Sequence, residues 1–508
     1  MGLKAQSVHE HAVAGPLQGK SRVRHSKGNR NSSNTTNKPN VTSLDLTELL
    51  DLAQSLPVSK PEKRILPNGL TLVTQELPGG DPICDVRFIV QTGSKNDQGH
   101  TSGLRHFMEH MNLRGTKTRS DTDIQIQLDK FGEDATNAFT NQELTGYEGQ
   151  ILTNDVPELV ELFLDMLCNS QYTKKTIDIE RGVIIQEIGE YFDNPSDHTD
   201  DLGHQAILKE HPFGRPIAGT EQTVSNITRK DFIQCSNDDY TLDNMTLSLT
   251  GKYDLDKVKR VIQRFEAENA HILTKRRSQC IELQPLCFTP GVVVKNRSLK
   301  ETYIIFATKG IPVHDRRRYP FLIIENALCT GFASRLFTQI RQKRGFSYTV
   351  KSVSDLGSLG GIFAVFTGIP HSETGFVLDL ILRELKDIKQ NGLKEDELEK
   401  VKKQIIKKVI MDETDIEERG SQNSEEQYYH KRFIPLIETI ESYLRVTNDD
   451  IVRLAREIFD PTTFALVAVG PKRKVTSKDN LQRIIDLVTT HWEQPIGYCP
   501  RHKAKKRY

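Results

Sequence analysis

Two segments of the chain, 219 residues apart, follow one plan. Residues 228–251 (TRKDFIQCSNDDYTLDNMTLSLTG) and 447–470 (TNDDIVRLAREIFDPTTFALVAVG) each read as a threonine-capped amphipathic helix, a polar turn, an apolar strand and a closing glycine. Identities between them are few, so the pattern recurs rather than the residues. A pattern kept in register over such a distance marks a duplicated unit. The 508 residues are therefore expected to form two similar α+β halves, about 62–280 and 288–495, joined across the basic, polar run 274–278.

The pattern of each half agrees. In the first, Arg64 to Val73 reads as strand, Asn68-Gly69 turn and strand, with a further strand over 86–92. Helical patterns follow at 103–113, 122–131, 154–169 and 174–191, then strand 245–250 and helix 254–268. The second half repeats the order. It has strands at 291–294 and 302–308, helices at 318–328 and 334–343, and a strand at 362–367. Helices at 373–389 and 394–412 follow, then helix 448–459 and strand 464–469. Before the first half, residues 1–40 carry seven Lys or Arg and a single acid, Glu10, which reads as a disordered basic arm. An amphipathic stretch from Leu44 to Leu56, after Thr42-Ser43, adds a short helix to this 1–60 region.

Composition narrows the function. Lys and Arg total 69 against 68 Asp and Glu, so bulk charge does not hold the chain to nucleic acid or to an anionic membrane. No apolar run is long enough to span a bilayer. Seven cysteines, an odd number without a CxxC pair, argue against a disulfide framework and favour a reducing compartment. That compartment is the cytoplasm, or an organelle matrix if residues 1–40 are a transit peptide. Trp492 and Tyr428-Tyr429 read as packing residues, and Lys402 to Lys408 as a solvated helix face.

The sharpest local feature is His106-Phe-Met-Glu109-His110 inside a helical pattern. Residues four apart share a helix face about 6 Å from each other, so both imidazoles can reach one ion. Glu109 lies beside them, free to take a proton from a metal-activated water. This is the HxxEH order of inverted zincins. Two histidines satisfied within a buried helix would give the same five residues. A catalytic zinc asks for a third ligand and an open position. The helix over 174–191 offers Glu180, Glu187 and Glu190, with Glu180 and Glu187 two turns apart on one face, although an ordinary charged face would look alike.

With these residues on the page, the chain resembles the peptidase M16 family, the pitrilysin and mitochondrial-processing-peptidase group. The resemblance rests on His106-x-x-Glu109-His110 with Glu187 77 residues further on. Around these lie Asn68-Gly-Leu-Thr, Gly93-Ser94, Leu113-Arg-Gly-Thr116, Asn137-Ala-Phe-Thr140, Glu143 and Glu180-Arg-Gly-Val-Ile-Ile-Gln-Glu187. In the second half, Ser334-Arg-Leu-Phe and Ile340-Arg-Gln-Lys-Arg-Gly-Phe-Ser-Tyr348 match as well, so the likeness covers about 60–495. Departures are Gly132-Glu133, Leu104-Arg105 and the short Cys329-Thr330-Gly331.

The resemblance implies two homologous halves, each a mainly antiparallel sheet packed with helices, closing as a clamshell on the active site. It implies one Zn2+ per chain on His106, His110 and Glu187, with Glu109 as general base and Glu180 as a supporting acid. Arg341 and Tyr348 would reach substrate from the second half. That half would lack a metal: at the same offset, His106, Glu109 and His110 face Glu325, Leu328 and Cys329. The implied activity is zinc-dependent endopeptidase cleavage of peptides or unfolded segments, by a single chain, a homodimer or a chain with an M16-like partner subunit. A noncatalytic subunit of the same fold, which binds partner proteins, is the alternative.

Overall fold

The computed structural model describes residues 44–77, 79, 81–270, 283–471 and 478–490. The basic arm, Thr42-Ser43, the 274–278 run, Cys280, Trp492, Cys499 and the C-terminal tail fall outside them. Six strands form the first sheet: β1 (Glu62–Ile65), β2 (Thr71–Glu76), β3 (Ile83–Val90), β4 (Thr136–Thr140), β5 (Thr145–Leu152) and β6 (Met245–Gly251). Five form the second: β7 (Gly291–Asn296), β8 (Thr302–Lys309), β9 (Val350–Gly357), β10 (Gly360–Ile369) and β11 (Ala465–Gly470).

Their orders are β1-β2-β6-β3-β5-β4 and β7-β11-β8-β10-β9. Apart from the extra edge strand β1, the two strand orders correspond one to one. In each, one parallel pair (β2 with β6, β7 with β11) sits in an otherwise antiparallel ladder. β8 is β3 displaced by 219 positions. The α+β class and the two like halves are thus as expected.

The helices duplicate too. The first half carries α1 (Leu46–Ser55), α2 (Leu104–Asn112), α3 (Asp121–Phe131), α4 (Val156–Asn169), α5 (Lys174–Asp193), α6 (Pro195–Leu208), α7 (Glu221–Asn226), α8 (Arg229–Asp238) and α9 (Leu255–Glu268). The second carries α10 (Arg318–Cys329), α11 (Thr374–Asn391), α12 (Glu395–Asp412), α13 (Ile416–Glu425), α14 (Leu436–Arg445), α15 (Asn448–Ile458) and α16 (Lys478–Thr490). The threonines of the repeated motif do cap. The Thr447 hydroxyl accepts from the Asp450 N–H at 3.2 Å, and the Thr228 N–H donates to Asp231 at 2.8 Å.

Each sheet is covered on one face by its own helices and on the other by a helix lent from the other half. α6 lies on β8 and β11, and α13 lies on β3 and β6. Period-two alternation explains what each face meets. Along β3, Cys84, Val86, Phe88 and Val90 enter the first core, while Asp85 and Arg87 turn to α13. Along β8, Ile304 and Phe306 enter the second core. Ile305 and Ala307 meet the apolar side of α6, which carries Leu202 and Ile207. α1 belongs to the first half's N-terminal approach yet packs on α12 and α14, with Leu49 and Ala53 buried in the second core.

Several local expectations change. α1 begins at Leu46 behind Asp45, whose carboxylate accepts from two backbone N–H groups and caps the helix. The helix expected over 334–343 is a π-type turn, Phe337–Gln342. Lys402 is not part of a solvated face: it is buried, and its ammonium donates to the carbonyls of Leu444, in the last turn of α14, and Val446, just past its end. The strands β5 and β9 and the lent helices α6 and α13 carried no periodicity that marked them in advance.

Candidate metal centre

α2 supplies the paired imidazoles, and its start is held tightly. The Asp97 carboxylate accepts from the N–H of Gly103 at 2.8 Å and of Arg105 at 3.2 Å. Gly103 has φ +95°, and a Cβ there would run into the Ala218 carbonyl, so only glycine fits. Arg105, a departure from the family pattern, has a structural role. Its guanidinium bridges Asp97 and Asp239, at 3.2 and 2.5 Å, and ties the helix to α8.

One turn on, the His106 and His110 rings lie 4.7 Å apart. α5 crosses them and brings Glu187 between: its two carboxylate oxygens lie 3.6 Å from His106 Nε2 and 3.6 Å from His110 Nε2. One ligand atom from each of the three residues falls within 4.8 Å of the others, the one such group among the described residues. Two atoms each about 2.1 Å from a shared ion at a tetrahedral angle lie about 3.4 Å apart, so the 3.6 Å separations suit zinc. Glu187 Oε1 is buried with no hydrogen-bond partner, as an oxygen left for a metal would be. Glu190 faces away, with Gln186 donating to it.

Glu180, two turns before Glu187, accepts from His110 Nδ1 at 2.9 Å. A carboxylate only accepts, so Nδ1 carries a proton and, in the neutral ring, Nε2 keeps its lone pair for an ion. Burial opposes the imidazolium, but Glu180, Glu109 and Glu187 raise the His110 pKa in the metal-free chain. Burial opposes the Glu180 charge, but His110 and Arg114 outweigh it and hold this carboxyl below its usual range. Burial, helped by His110, keeps His106 well below the ordinary histidine value and therefore neutral. Glu109 is buried, and the Thr140 hydroxyl on β4 donates to its Oε2 at 2.6 Å. Desolvation pushes the Glu109 carboxyl up to about 7, against the pull of His110 and Thr140. A carboxyl of that value beside a cation site suits a group that takes and returns a proton near neutrality.

The centre opens on a cleft of about 510 Å³ lined by both halves. His106, Glu109, Phe139, Thr140 and Tyr191 line one side, and Lys351 to Gly357 of β9 the other. β4 and β9 are the free edges of their sheets. Their hairpin tips meet across the cleft. Glu143 accepts from the Ser358 N–H at 2.8 Å and from its hydroxyl, while Lys95 donates to Glu143 at 2.7 Å and to the Tyr428 hydroxyl at 3.1 Å. His204 of α6 pairs with Asp355 of β9 at 3.1 Å. Tyr428 is thus part of a polar bridge rather than simple packing, and Tyr429 lines the cleft.

Arg341 and Tyr348 are brought to each other and not to the histidines. The Arg341 guanidinium stacks 4.3 Å over the Tyr348 ring and donates to the Tyr348 carbonyl at 3.0 Å. Tyr348 is 81 % exposed, and neither residue lines the cleft. Sequence reasoning missed the supporting roles of Thr140 and Arg114. Both lie in quoted family motifs, so position was available but partner was not.

The five described cysteines form no disulfide with one another, and no helix among the described residues is long and apolar enough to cross a membrane.

Comparison with known proteins identifies the family and the fold. The sequence profile of the insulinase-type peptidases, family M16, matches residues 73–221, and that of the M16 inactive domain matches 226–405. The second profile begins ahead of α8 and β6, elements that the structure places with the first sheet. An uncharacterized zinc protease of Rickettsia felis is 28 % identical over 410 residues, covering 80 % of this chain and 96 % of that protein. One from Streptomyces coelicolor is 28 % identical, covering 80 % and 88 %. Among solved structures, a protease from Helicobacter pylori aligns with TM-score 0.74 at 19 % identity, over 82 % of this chain and all of that one. An M16 inactive domain from Pseudomonas fluorescens aligns with TM-score 0.73 at 16 % identity, over 82 % and 99 %. Duplicated sheets, the HxxEH helix with a distant glutamate, and two successive profiles of one family converge: the chain belongs to peptidase family M16.

Proposed function

We propose that this protein is a zinc-dependent endopeptidase that cleaves peptides or unfolded segments. The observation that carries the reading is the approach of His106, His110 and Glu187, with Glu109 beside them, where His106 and Glu109 line a cleft shared by both halves. One Zn2+ per chain, held by those three, would polarise the scissile carbonyl and lower the pKa of a water to about 7. The chain's own groups do the rest. Glu109 takes a proton from the attacking water and passes it to the leaving amine, and Thr140 aims its carboxylate. Glu180 keeps His110 in the ligating tautomer.

Substrate lies extended along the free edge of β4, with backbone hydrogen bonds supplying affinity without demanding one sequence. Residues 62–280 provide catalysis, and 288–495 complete the substrate site through the β9 wall. Arg341 and Tyr348 contact substrate only after the halves move or from a second subunit, because in this chain they stand apart from the ion ligands. A reducing compartment fits described cysteines that form no disulfide with one another.

The test is hydrolysis of a mixed quenched-fluorescent peptide library by purified protein, before and after chelation and on return of zinc. Cleavage that disappears with the metal and returns with it supports the reading. A folded protein that takes up no zinc, or cleavage indifferent to the chelator, overturns it.

A further inference from the structure

The sequence stretch Leu113-Arg114-Gly115-Thr116 follows the ligand helix, and the mechanism above gives it no task. Its arginine nonetheless reaches the centre. Arg114 Nε lies 2.5 Å from Glu180 Oε2, an ion pair rather than an aligned hydrogen bond, while the other Glu180 oxygen faces His110 Nδ1 at 2.9 Å. The far end of the same guanidinium donates to Asp121, at the start of α3, at 3.4 Å. We propose that Arg114 is a positioning residue for the metal centre: it holds the Glu180 carboxylate in the orientation that keeps the proton on His110 Nδ1 and leaves Nε2 for the ion. The proposal deepens the zinc-peptidase reading and rests on it.

Charge and packing both require such a residue. Glu109, Glu180 and Glu187 crowd three carboxyls around two imidazoles. The Glu180 side chain is only 4 % exposed, so water does little to screen it from the other two. Without a cation its carboxylate gains by turning away from Glu187, and His110 Nδ1 then loses its acceptor. Arg114, 30 % exposed, supplies the charge from the solvent side, where a guanidinium keeps part of its hydration.

A purely structural role for Arg114 is separable, because the loop it sits on is fastened elsewhere. Asp165 accepts from Thr116 at 2.6 Å, Thr118 at 2.8 Å and Arg119 at 2.7 Å, and the Lys117 N–H donates to the Asn169 carbonyl. Removing Arg114 should therefore leave the loop in place and disturb only Glu180.

The experiment measures zinc affinity of the full chain by competition with a chromophoric chelator, and the visible absorption of the Co2+-loaded protein. Losing the partner of a ligating histidine typically weakens metal binding about 10- to 100-fold. Arg114→Met should weaken zinc about tenfold and alter the cobalt spectrum, in metal-free protein that keeps a cooperative unfolding transition and the wild-type circular-dichroism spectrum. Arg114→Lys should recover most of the affinity. Glu180→Gln should weaken zinc as well, and the Arg114→Met/Glu180→Gln double variant no further than the worse single change, since both act through one contact. Zinc affinity within twofold of wild type in Arg114→Met, or fully multiplicative losses in the double variant, would overturn the proposal. If wild type itself binds no zinc, the peptidase reading fails first, so the two failures are distinguishable.

Discussion

The halves share a scaffold and differ in what they bury at matching places. In the first, α2 and α5 present His106, Glu109, His110 and Glu187 to one point. At the same offset, α10 and α12 present Glu325, Leu328, Cys329 and Ile406. Leu328 and Ile406 belong to the second core and are fully buried, and burial raises the Glu325 carboxyl toward its neutral form. One fold thus offers a candidate cation site where the helix faces carry imidazoles and carboxylates, and a packed wall where they carry apolar groups. The lent helices differ in parallel. α6 meets the second sheet through Leu202, Ile207, Ile305 and Ala307. α13 meets the first through polar groups: Arg87, its side chain 4 % exposed and paired within the sheet to Asp85 at 2.8 Å and to Glu148, donates to the Glu417 carbonyl at 3.2 Å, while Arg419 and Asn423 donate to Gln75. A helix set on charges is held by geometry, whereas one set on methyl groups can adjust.

That contrast can be broken at the chemistry first. Glu109→Gln should lower peptide hydrolysis by about 10³-fold, near the middle of the range for a lost general base, with zinc content unchanged. Leu328→Met at the matching place should alter turnover less than about twofold. Wild-type hydrolysis by Glu109→Gln removes the assigned base.

Metal content gives the next contrast. His106→Ala should weaken zinc by more than about 100-fold. Glu325→Gln, its counterpart, should retain one zinc per chain by atomic absorption. Full occupancy in His106→Ala takes that residue out of the ligand set.

Stability separates the lent helices. A methyl on Gly420 of α13 would overlap the Asp85 carboxylate, which cannot retreat while it is paired to Arg87. Gly420→Ala should therefore cost about 1–3 kcal/mol by overpacking. On α6, a Cβ at Gly203 would sit 3.0 Å from the Ile305 methyl, the end of a side chain that can yield. Gly203→Ala should change stability by less than about 1 kcal/mol, as helix propensity offsets the crowding. Equal shifts in thermal melting would refute the difference between the interfaces.

The smallest effect is a pH slope. Burial raises Glu109 from 4.5 to about 7 in the folded, metal-free chain, so folding favours the protonated form. That contribution is complete below about 4.5 and is lost as pH rises through about 7. The melting temperature of metal-free protein should fall across this window, and Glu109→Gln should flatten the fall. An identical slope in the variant would assign the titration to another group.

The primary structure by itself determined the duplication, because helix and strand periods and threonine caps are local signals that survive loss of identity. It also put His106, Glu109 and His110 on neighbouring positions of one helix, because i, i+4 geometry is set before any tertiary contact forms. That Glu187, rather than Glu180 or Glu190, joins them was implied by the family resemblance and depends on how α5 crosses α2. Tertiary structure alone decided what those faces touch. Asp85 and Arg87 alternate with apolar residues along β3 as a solvent-facing set would, yet they lie beneath α13, because burial depends on a helix 330 residues away. Lys402 reads as one lysine in a charged run until the end of α14 comes within its reach. Arg341 and Tyr348 carry a family pattern, but their distance from the ion ligands follows from how the halves are placed, and no local rule encodes that placement.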